Sequence, residues 1–200
     1  MRYYYDTEFD EDGTSIELIS IAIVAEDGRE LYRVVEDADW ERINKNQWVM
    51  EHVIPLLPTL GEPEWQLKDT IRKEVYDFLY PYQPVPGEVQ SIGYVGDPEL
   101  WAWFGAYDHV VLAQMFGKMA QFPAFIPQWT NDLRQEVHRL KNPALPKQRK
   151  GEHDALEDAR QVKRWADWLA GKFNSKAGTP MENQCYGDRH VDPHRGCFLR

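Results

Sequence analysis

The chain has 200 residues, of which 42% are hydrophobic, and this is enough to form the core of one ordinary globular domain. Its apolar runs are too short to cross a membrane, and its first residues lack the pattern of a secretory signal, so we expect a cytoplasmic protein that binds no membrane. A net charge of −10 argues against non-specific nucleic-acid binding, which usually needs a basic surface.

The first 35 residues predict three strands joined by tight turns. Apolar and β-branched side chains predict strands at residues 2–5, 15–25 and 29–35, and the sequence DEDG at residues 10–13 predicts the first turn. Because such short connections join antiparallel neighbours, we expect a meander.

Beyond residue 38 the apolar residues follow a helical period, interrupted by one apolar strand. Helices are predicted at 39–46, 47–57, 67–79, 107–116, 132–140 and 153–169, a loop rich in Pro and Gly at 81–96, and a buried strand at 99–105. This order predicts an α/β domain with a mixed sheet over residues 1–170. Residues 171–200 have few core-forming side chains, and we expect a flexible C-terminal extension there.

Three groups of acidic residues are candidates for chemistry. Asp6 and Glu8 alternate along the first strand, so they point the same way, either as oxygen ligands for Mg²⁺ or Mn²⁺ or as acids on a solvated edge. Asp108 follows an apolar segment where a helix should begin, and it suits either a helix cap or a ligand.

The third group lies in GEHDALEDAR, where His153, Asp154, Glu157 and Asp158 crowd the start of a helix. Acidic residues are favoured there in any helix, and residues four apart share a face, which pairs Asp154 with Asp158 or His153 with Glu157. His153 and Asp158 converge only if His153 lies at or before the first turn. The spacing leaves these alternatives open.

Taken in order, Asp6-Thr7-Glu8, then Asp108 after Gly105-Ala106-Tyr107, then His153-x-Ala155-x-x-Asp158 resemble the three motifs of the DEDDh 3′–5′ exonucleases. The stretches MRYYYDTEF, ELWAWFGAYDHVVL and HDALEDAR are similar to the actinobacterial (mycobacterial-type) ribonuclease T-like exoribonucleases, which act on RNA 3′ ends, including poly(A) tails. The resemblance covers residues 1–170. It departs from the family at the second motif, where Tyr107 and His109 flank the aspartate.

This resemblance implies a ribonuclease H-like fold, a mixed β-sheet flanked by helices, and hydrolysis of phosphodiester bonds from the 3′ end with two divalent ions, Mg²⁺ or Mn²⁺. It implies that His153 is the general base, and it resolves which acids bind metal. The implied ligands are Asp6, Glu8, Asp108 and Asp158. The metal ions would also supply local positive charge for nucleic-acid binding, which the negative net charge of the chain does not provide.

Substrate contacts are expected from residues beside these motifs. The candidates are Thr7, Phe9, Trp103 and Tyr107 near the terminal nucleotide, and Lys147 and Arg149 on its backbone phosphates. Trp103 also suits a core position, and the basic stretch at residues 138–150 also suits a solvated loop. We expect the partner to be a single-stranded RNA 3′ end or a 3′ overhang.

Two other interpretations of the function stay open. One is a 3′–5′ DNA exonuclease of the same type, and another is a non-catalytic nucleic-acid-binding module with the same fold. The resemblance also implies a homodimer. Finally, Cys185, His190, His194 and Cys197 have a spacing that permits a zinc site, although a chance arrangement in a flexible extension is the simpler interpretation.

Overall fold

A computed structural model describes residues 1–84, 92–148 and 151–174 of the chain. The predicted meander is confirmed: β1 (Arg2–Glu11), β2 (Ile16–Ala25) and β3 (Glu30–Val35) pair in antiparallel order. β1 continues through the first half of the predicted turn, because Asp10 and Glu11 still pair with β2, and Asp10 is buried there with an ion pair to Arg42. The whole acidic motif therefore lies within one strand.

The meander forms part of a six-stranded sheet in the order β4-β3-β2-β1-β7-β8. Its other members are β4 (Trp65–Gln66), β7 (Glu99–Ala102) and β8 (Asn131–Asp132). Each of these pairs in parallel with its neighbour, so the predicted mixed sheet is confirmed. A separate hairpin, β5 (Tyr82–Pro84) with β6 (Ile92–Tyr94), occupies part of the region where a loop was predicted.

Six helices cover the sheet in the part of the chain that the structure describes. They are α1 (Trp40–Ile43), α2 (Gln47–His52), α3 (Lys68–Leu79), α4 (Ala106–Met115), α5 (Leu133–Arg139) and α6 (Ala155–Asn174). The first two are shorter than predicted, and α6 starts two residues later and ends five residues later than predicted. Among the described residues, no helix has the length and apolar character needed to cross a bilayer.

Alternate side chains of β1 pack against opposite helical layers. Tyr3 and Tyr5 contact the cluster formed with α3 and α4, whereas Tyr4 belongs to the cluster formed with α5 and α6. This is the period of two that a strand imposes when both of its faces are covered. Even-numbered residues of β1 therefore face α6, and Asp6 and Glu8 continue the row that Tyr4 begins.

The N-terminal end of α6 lies close to the sheet because the contact uses small side chains. Ala155 and Ala159 pack against Ala22 and Val24 of β2, and all four are buried. In a close-packed interior the size of the contacting side chains sets the separation of two elements. The first turn of α6 is thereby brought beside the centre of β1.

The segment that carries α1 and α2 packs where the β1–β2 register shifts. Glu8 pairs with Ser20 and Phe9 pairs with Leu18, which leaves Ile19 without a cross-strand partner. Ile19 is buried against Ile43, Val49 and Val53. This bulge therefore attaches α2 to the sheet next to Glu8.

Candidate active site

Asp6 and Glu8, the two carboxylates of β1, lie on the face of the sheet that the start of α6 covers. Asp6 pairs across the sheet with Ala22, on which α6 packs, and Glu8 pairs with Ser20. Glu8 is only 8% exposed. The interpretation of these residues as acids on a solvated edge strand therefore does not fit, because β1 lies between β2 and β7 inside the sheet.

Asp108, the third residue of α4, contacts β1 rather than capping its own helix. Its Oδ1 accepts hydrogen bonds from the Thr7 N–H at 2.9 Å and from the Thr7 hydroxyl at 2.7 Å. Gly105 allows the tight turn that leads into α4, since a Cβ there would lie 2.7 Å from the Cβ of Ala102. These contacts bring Asp108, which is 6% exposed, to the side of the Asp6–Glu8 pair.

The structure also answers how His153 and Asp158 converge although they are five residues apart. Asp154 caps α6, with its Oδ1 accepting the N–H groups of Leu156 at 2.9 Å and Glu157 at 3.2 Å. His153 precedes this cap, and its N–H donates to Asp158 Oδ2 at 2.8 Å. His153 therefore lies before the first turn, Asp154 caps the helix, and Glu157 accepts a hydrogen bond from Arg160.

The loop that carries His153 has an uncommon backbone. His153 has φ = 70° and Gly151 has φ = 79°, both in the left-handed region that side chains disfavour. A Cβ at Gly151 would lie 2.7 Å from the Cβ of Glu157, so only glycine fits there. Gln148 donates a second hydrogen bond to Asp158, which ties the preceding segment to the same carboxylate.

Three predicted site residues from two distant segments meet directly. Ligand atoms of Glu8, His153 and Asp158 all lie within 4.8 Å of one another. Asp6 joins them electrostatically, because the charges that act most strongly on it are carboxylates, those of Asp108, Glu8 and Asp158 foremost. The five residues that the resemblance implied therefore form one cluster.

The carboxylates of this cluster hold their protons unusually tightly. Burial, followed by the charge of Asp158 and Asp108, raises the pKa of Glu8 to about 8. Burial also raises the pKa of Asp108 to about 6 although Thr7 donates to it, and it raises the pKa of Asp6 well above its usual value. Burial is also the main reason that the pKa of Asp158 is raised. Such a set of like charges is short of countercharge among the described residues, and its hard oxygen donors suit Mg²⁺ or Mn²⁺.

The predicted substrate residues fall into different surroundings. Phe9 and Tyr107 stack with ring centroids 5.8 Å apart, beside Glu8 and Asp108, and Tyr107 is 55% exposed. Trp103 packs against Trp165 of α6, with ring centroids 4.6 Å apart, in the apolar cluster on that side of the sheet. The structure gives Trp103 a packing role, and its role in binding substrate stays a prediction.

Thr7 is buried and donates its hydroxyl to Asp108, so the structure gives it a role in holding a carboxylate. Lys147 is exposed on the segment that leads to His153. Arg149 lies outside the described residues, and so do the four residues of the hypothetical zinc site, Cys185, His190, His194 and Cys197.

Sequence reasoning missed two aromatic residues of α2. Trp48 and His52 stack on each other, with ring centroids 4.8 Å apart, and both lie near the ring of His153. Their spacing of four residues predicts one shared helix face. Nothing in that spacing indicates which part of the molecule this face meets, because the contact depends on tertiary packing.

Comparison with known proteins places the chain in a family. The model of a family described as the 3′-5′ exoribonuclease Rv2179c-like domain matches residues 1–169. The chain belongs to this family. Within it, the 3′-5′ exoribonuclease Rv2179c of Mycobacterium tuberculosis H37Rv is 45% identical over 166 residues, and these residues cover 82% of this chain and 91% of that protein. The 3′-5′ exoribonuclease MT2234.1 of strain CDC 1551 matches to the same extent.

The predicted resemblance to mycobacterial-type exoribonucleases is thereby confirmed at the level of the family. The matched region of the Rv2179c-like domain contains all five clustered residues, from Asp6 in β1 to Asp158 in α6.

Proposed function

We propose that this member of the Rv2179c-like family is a 3′–5′ exoribonuclease of the DEDDh type, with a ribonuclease H-like fold. The observation that carries the proposal is the cluster itself. Carboxylates from β1, α4 and α6 interact with one another, and those of Glu8 and Asp158 lie beside His153, in a chain whose relatives are named 3′-5′ exoribonucleases. Such a cluster is costly to bury without a function, because like charges without partners oppose folding.

The chemistry of the donor set supports two divalent cations, Mg²⁺ or Mn²⁺. The residues that would hold them are Asp6, Glu8, Asp108 and Asp158. When bound, the cations supply positive charge that stabilises the attacking and leaving oxygens of a phosphodiester. The raised pKa values of Glu8 and Asp108 fit this proposal, since a bound cation restores the ionised form of each carboxylate.

In the proposed reaction, His153 accepts a proton from a water molecule as the oxygen of that water bonds to the phosphorus of the last phosphodiester. The bond from phosphorus to the 3′ oxygen of the preceding nucleotide breaks, and that oxygen takes up a proton. The products are a nucleoside 5′-monophosphate and an RNA one nucleotide shorter, with a new 3′-hydroxyl. Histidine suits this step because its ring exchanges a proton near neutral pH.

The substrate is proposed to be a single-stranded RNA 3′ end or a 3′ overhang, with poly(A) as one candidate. Tyr107 offers an exposed ring, backed by Phe9, on which a terminal base can stack. Stacking of this kind accepts any base. Two further parts of the proposal are a homodimer, which is supported by the resemblance to the family alone, and a location in the cytoplasm, which is the expectation from the sequence. Light scattering on the purified protein tests the dimer.

A nuclease assay tests the central proposal. RNA labelled at its 5′ end, and DNA of the same sequence, are incubated with the protein in Mg²⁺ or in Mn²⁺. We expect a ladder that shortens from the 3′ end of the RNA. The variant Asp6→Asn should lose at least about 10³-fold in rate, because it removes a ligand charge at the centre of the site. Equal activity of wild type and variant would overturn the proposal. Faster degradation of the DNA than of the RNA would show that DNA is the substrate instead.

A further inference from the structure

The ring of His153 lies against an aromatic pair of α2 that the proposed reaction does not use. The indole of Trp48 meets the imidazole of His153 nearly at right angles, with ring centroids 4.8 Å apart and an interplanar angle of 82°. His52, one turn further along α2, stacks on the same indole, and its ring centroid lies 6.1 Å from that of His153. Edge-to-face contacts of this kind are an attractive geometry for aromatic rings.

The position of this aromatic pair is fixed by contacts with the sheet. Val49, next to Trp48, is buried against Ile19 at the β1–β2 bulge. Asn46 caps α2 by accepting the Val49 N–H at 3.3 Å, and its Nδ2 donates to Asp10 Oδ1 at 2.7 Å. Asp10 lies two residues beyond Glu8 on β1. The strand that carries two of the clustered carboxylates therefore also anchors the helix that carries Trp48.

Asp10 is itself held in place from α1. Its Oδ2 accepts a hydrogen bond from Arg42 Nε at 2.6 Å, and a second nitrogen of Arg42 donates to the Asp10 backbone carbonyl at 3.0 Å. The carboxylate is buried. Asp10 thus differs from Asp6 and Glu8, because it has its own cationic partner and serves to attach the α1–α2 segment.

The imidazole of His153 needs such support, because its backbone contacts do not orient its ring. The hydrogen bond to Asp158 uses the main-chain N–H and leaves rotation about the side-chain bonds free. The loop backbone at His153 is left-handed and is not part of a helix. Only contacts with the ring itself select the orientation in which a ring nitrogen faces Glu8 and Asp158.

We propose that Trp48 is a positioning residue for the general base, holding the imidazole of His153 toward the carboxylate cluster. The inference rests on the proposed function, in which His153 accepts the proton. Trp48 is 49% exposed, so its indole is also open to a nucleobase, but the contact that the structure contains is the one with His153. Binding of a base by Trp48 is therefore the rival outcome of the test.

The kinetic test compares kcat and KM on 5′-labelled single-stranded RNA in Mn²⁺ for wild type, Trp48→Ala and Trp48→Phe. We expect Trp48→Ala to lower kcat by about 10- to 100-fold, since small misplacements of a reacting group have effects of this size, with little change in KM. Trp48→Phe keeps a ring at this position and should recover most of the loss. Tyr82→Ala on the β5–β6 hairpin is the control, because Tyr82 is 50% exposed and contacts Tyr80 and Tyr94.

A spectroscopic test needs neither activity nor metal. In the ¹H–¹³C spectrum of the imidazole groups, the His153 signals are identified by their loss in His153→Gln. Removal of the neighbouring indole in Trp48→Ala should shift these signals, and Tyr82→Ala should not. Melting curves of each variant establish that it is folded.

Two results would overturn the proposal: unchanged kcat in folded Trp48→Ala, or a raised KM at unchanged kcat, which would assign Trp48 to base binding. A wild type that degrades no RNA would instead overturn the proposed function. The spectroscopic comparison would still decide whether the indole of Trp48 lies against the His153 ring, as the proposal requires, so the two failures are distinguishable.

Discussion

Asp108 depends on Thr7 for its position, and both Thr7 donors reach a single carboxylate oxygen. The backbone N–H remains in any substitution except proline, whereas the hydroxyl is removable. Thr7 sits between Asp6 and Glu8 but faces the opposite side of β1, where α4 begins. β1 therefore supplies the carboxylates of Asp6 and Glu8 itself, and it holds the carboxylate of Asp108 through Thr7.

We expect Thr7→Val to lower the nuclease rate about tenfold and the free energy of unfolding by about 1 kcal/mol. Valine keeps the β-branched shape that suits a strand but leaves Asp108 with one donor instead of two. The rate is measured on labelled RNA and the stability by urea unfolding. Thr14→Val is the matched control, because the Thr14 hydroxyl donates to Asp12 over the same 2.7 Å in an exposed turn. Equal losses in both variants would contradict this role.

Single residues of the site were predictable to different degrees. Asp6, Glu8, Asp108, His153 and Asp158 were assigned through the resemblance to the exonuclease motifs, since spacing alone left helix capping and metal binding open. Trp48 and His52 could not be assigned, because their contact with His153 depends on how α2 packs at a bulge. The buried state of Asp10 was missed for a similar reason, since its partner Arg42 lies 32 residues away.

At the scale of elements, the separation between α6 and the sheet controls whether Asp158 and His153 reach β1. Ala155 and Ala159 face Ala22 and Val24 in a buried contact, against which Tyr32 and Leu156 also pack. The strands and the long helices were predictable from periodicity, and β2 and α3 are examples. The short parallel strands β4 and β8 were not, because two residues carry no period.

We expect Ala159→Leu to destabilise the protein by about 1 to 3 kcal/mol and to lower nuclease activity by more than the stability loss explains, because overpacking displaces α6 from β2. Activity is compared at a temperature where the variant is fully folded. Ala170→Leu, three turns further along the same helix, is the control, since Ala170 lines an open cleft and has room for a larger side chain. Normal activity in folded Ala159→Leu would show that the close approach is not needed.

At the scale of the whole molecule, the carboxylate cluster links folding to protons and, in the proposed function, to metal ions. Unfolded carboxyl groups have pKa values near 4, whereas the folded values are raised to about 8 for Glu8 and about 6 for Asp108. The folded chain therefore binds these protons more tightly than the unfolded chain. Their contribution to stability is complete below about pH 4 and is lost as the pH rises through the folded pKa values.

We therefore expect the melting temperature of the metal-free protein to fall between pH 5.5 and pH 8, measured in a chelator by scanning calorimetry. Mn²⁺ at about a hundredfold excess over its Kd should raise the melting temperature by about 5 to 10 °C at pH 8, and by less at pH 5.5 where protons compete. The double variant Asp6→Asn, Glu8→Gln should flatten both effects. A Mn²⁺ effect of equal size in that variant would place the cation elsewhere.

The contact between β1 and α6 also has a consequence for how the protein is made. β1 leaves the ribosome long before α6, which is the last described helix of the matched domain. A growing chain that stops before residue 153 contains Asp6, Glu8 and Asp108 but neither His153 nor Asp158. The cluster is thus completed only when synthesis of the domain is nearly finished, so a chain truncated before residue 153 would lack both the proposed general base and one proposed metal ligand.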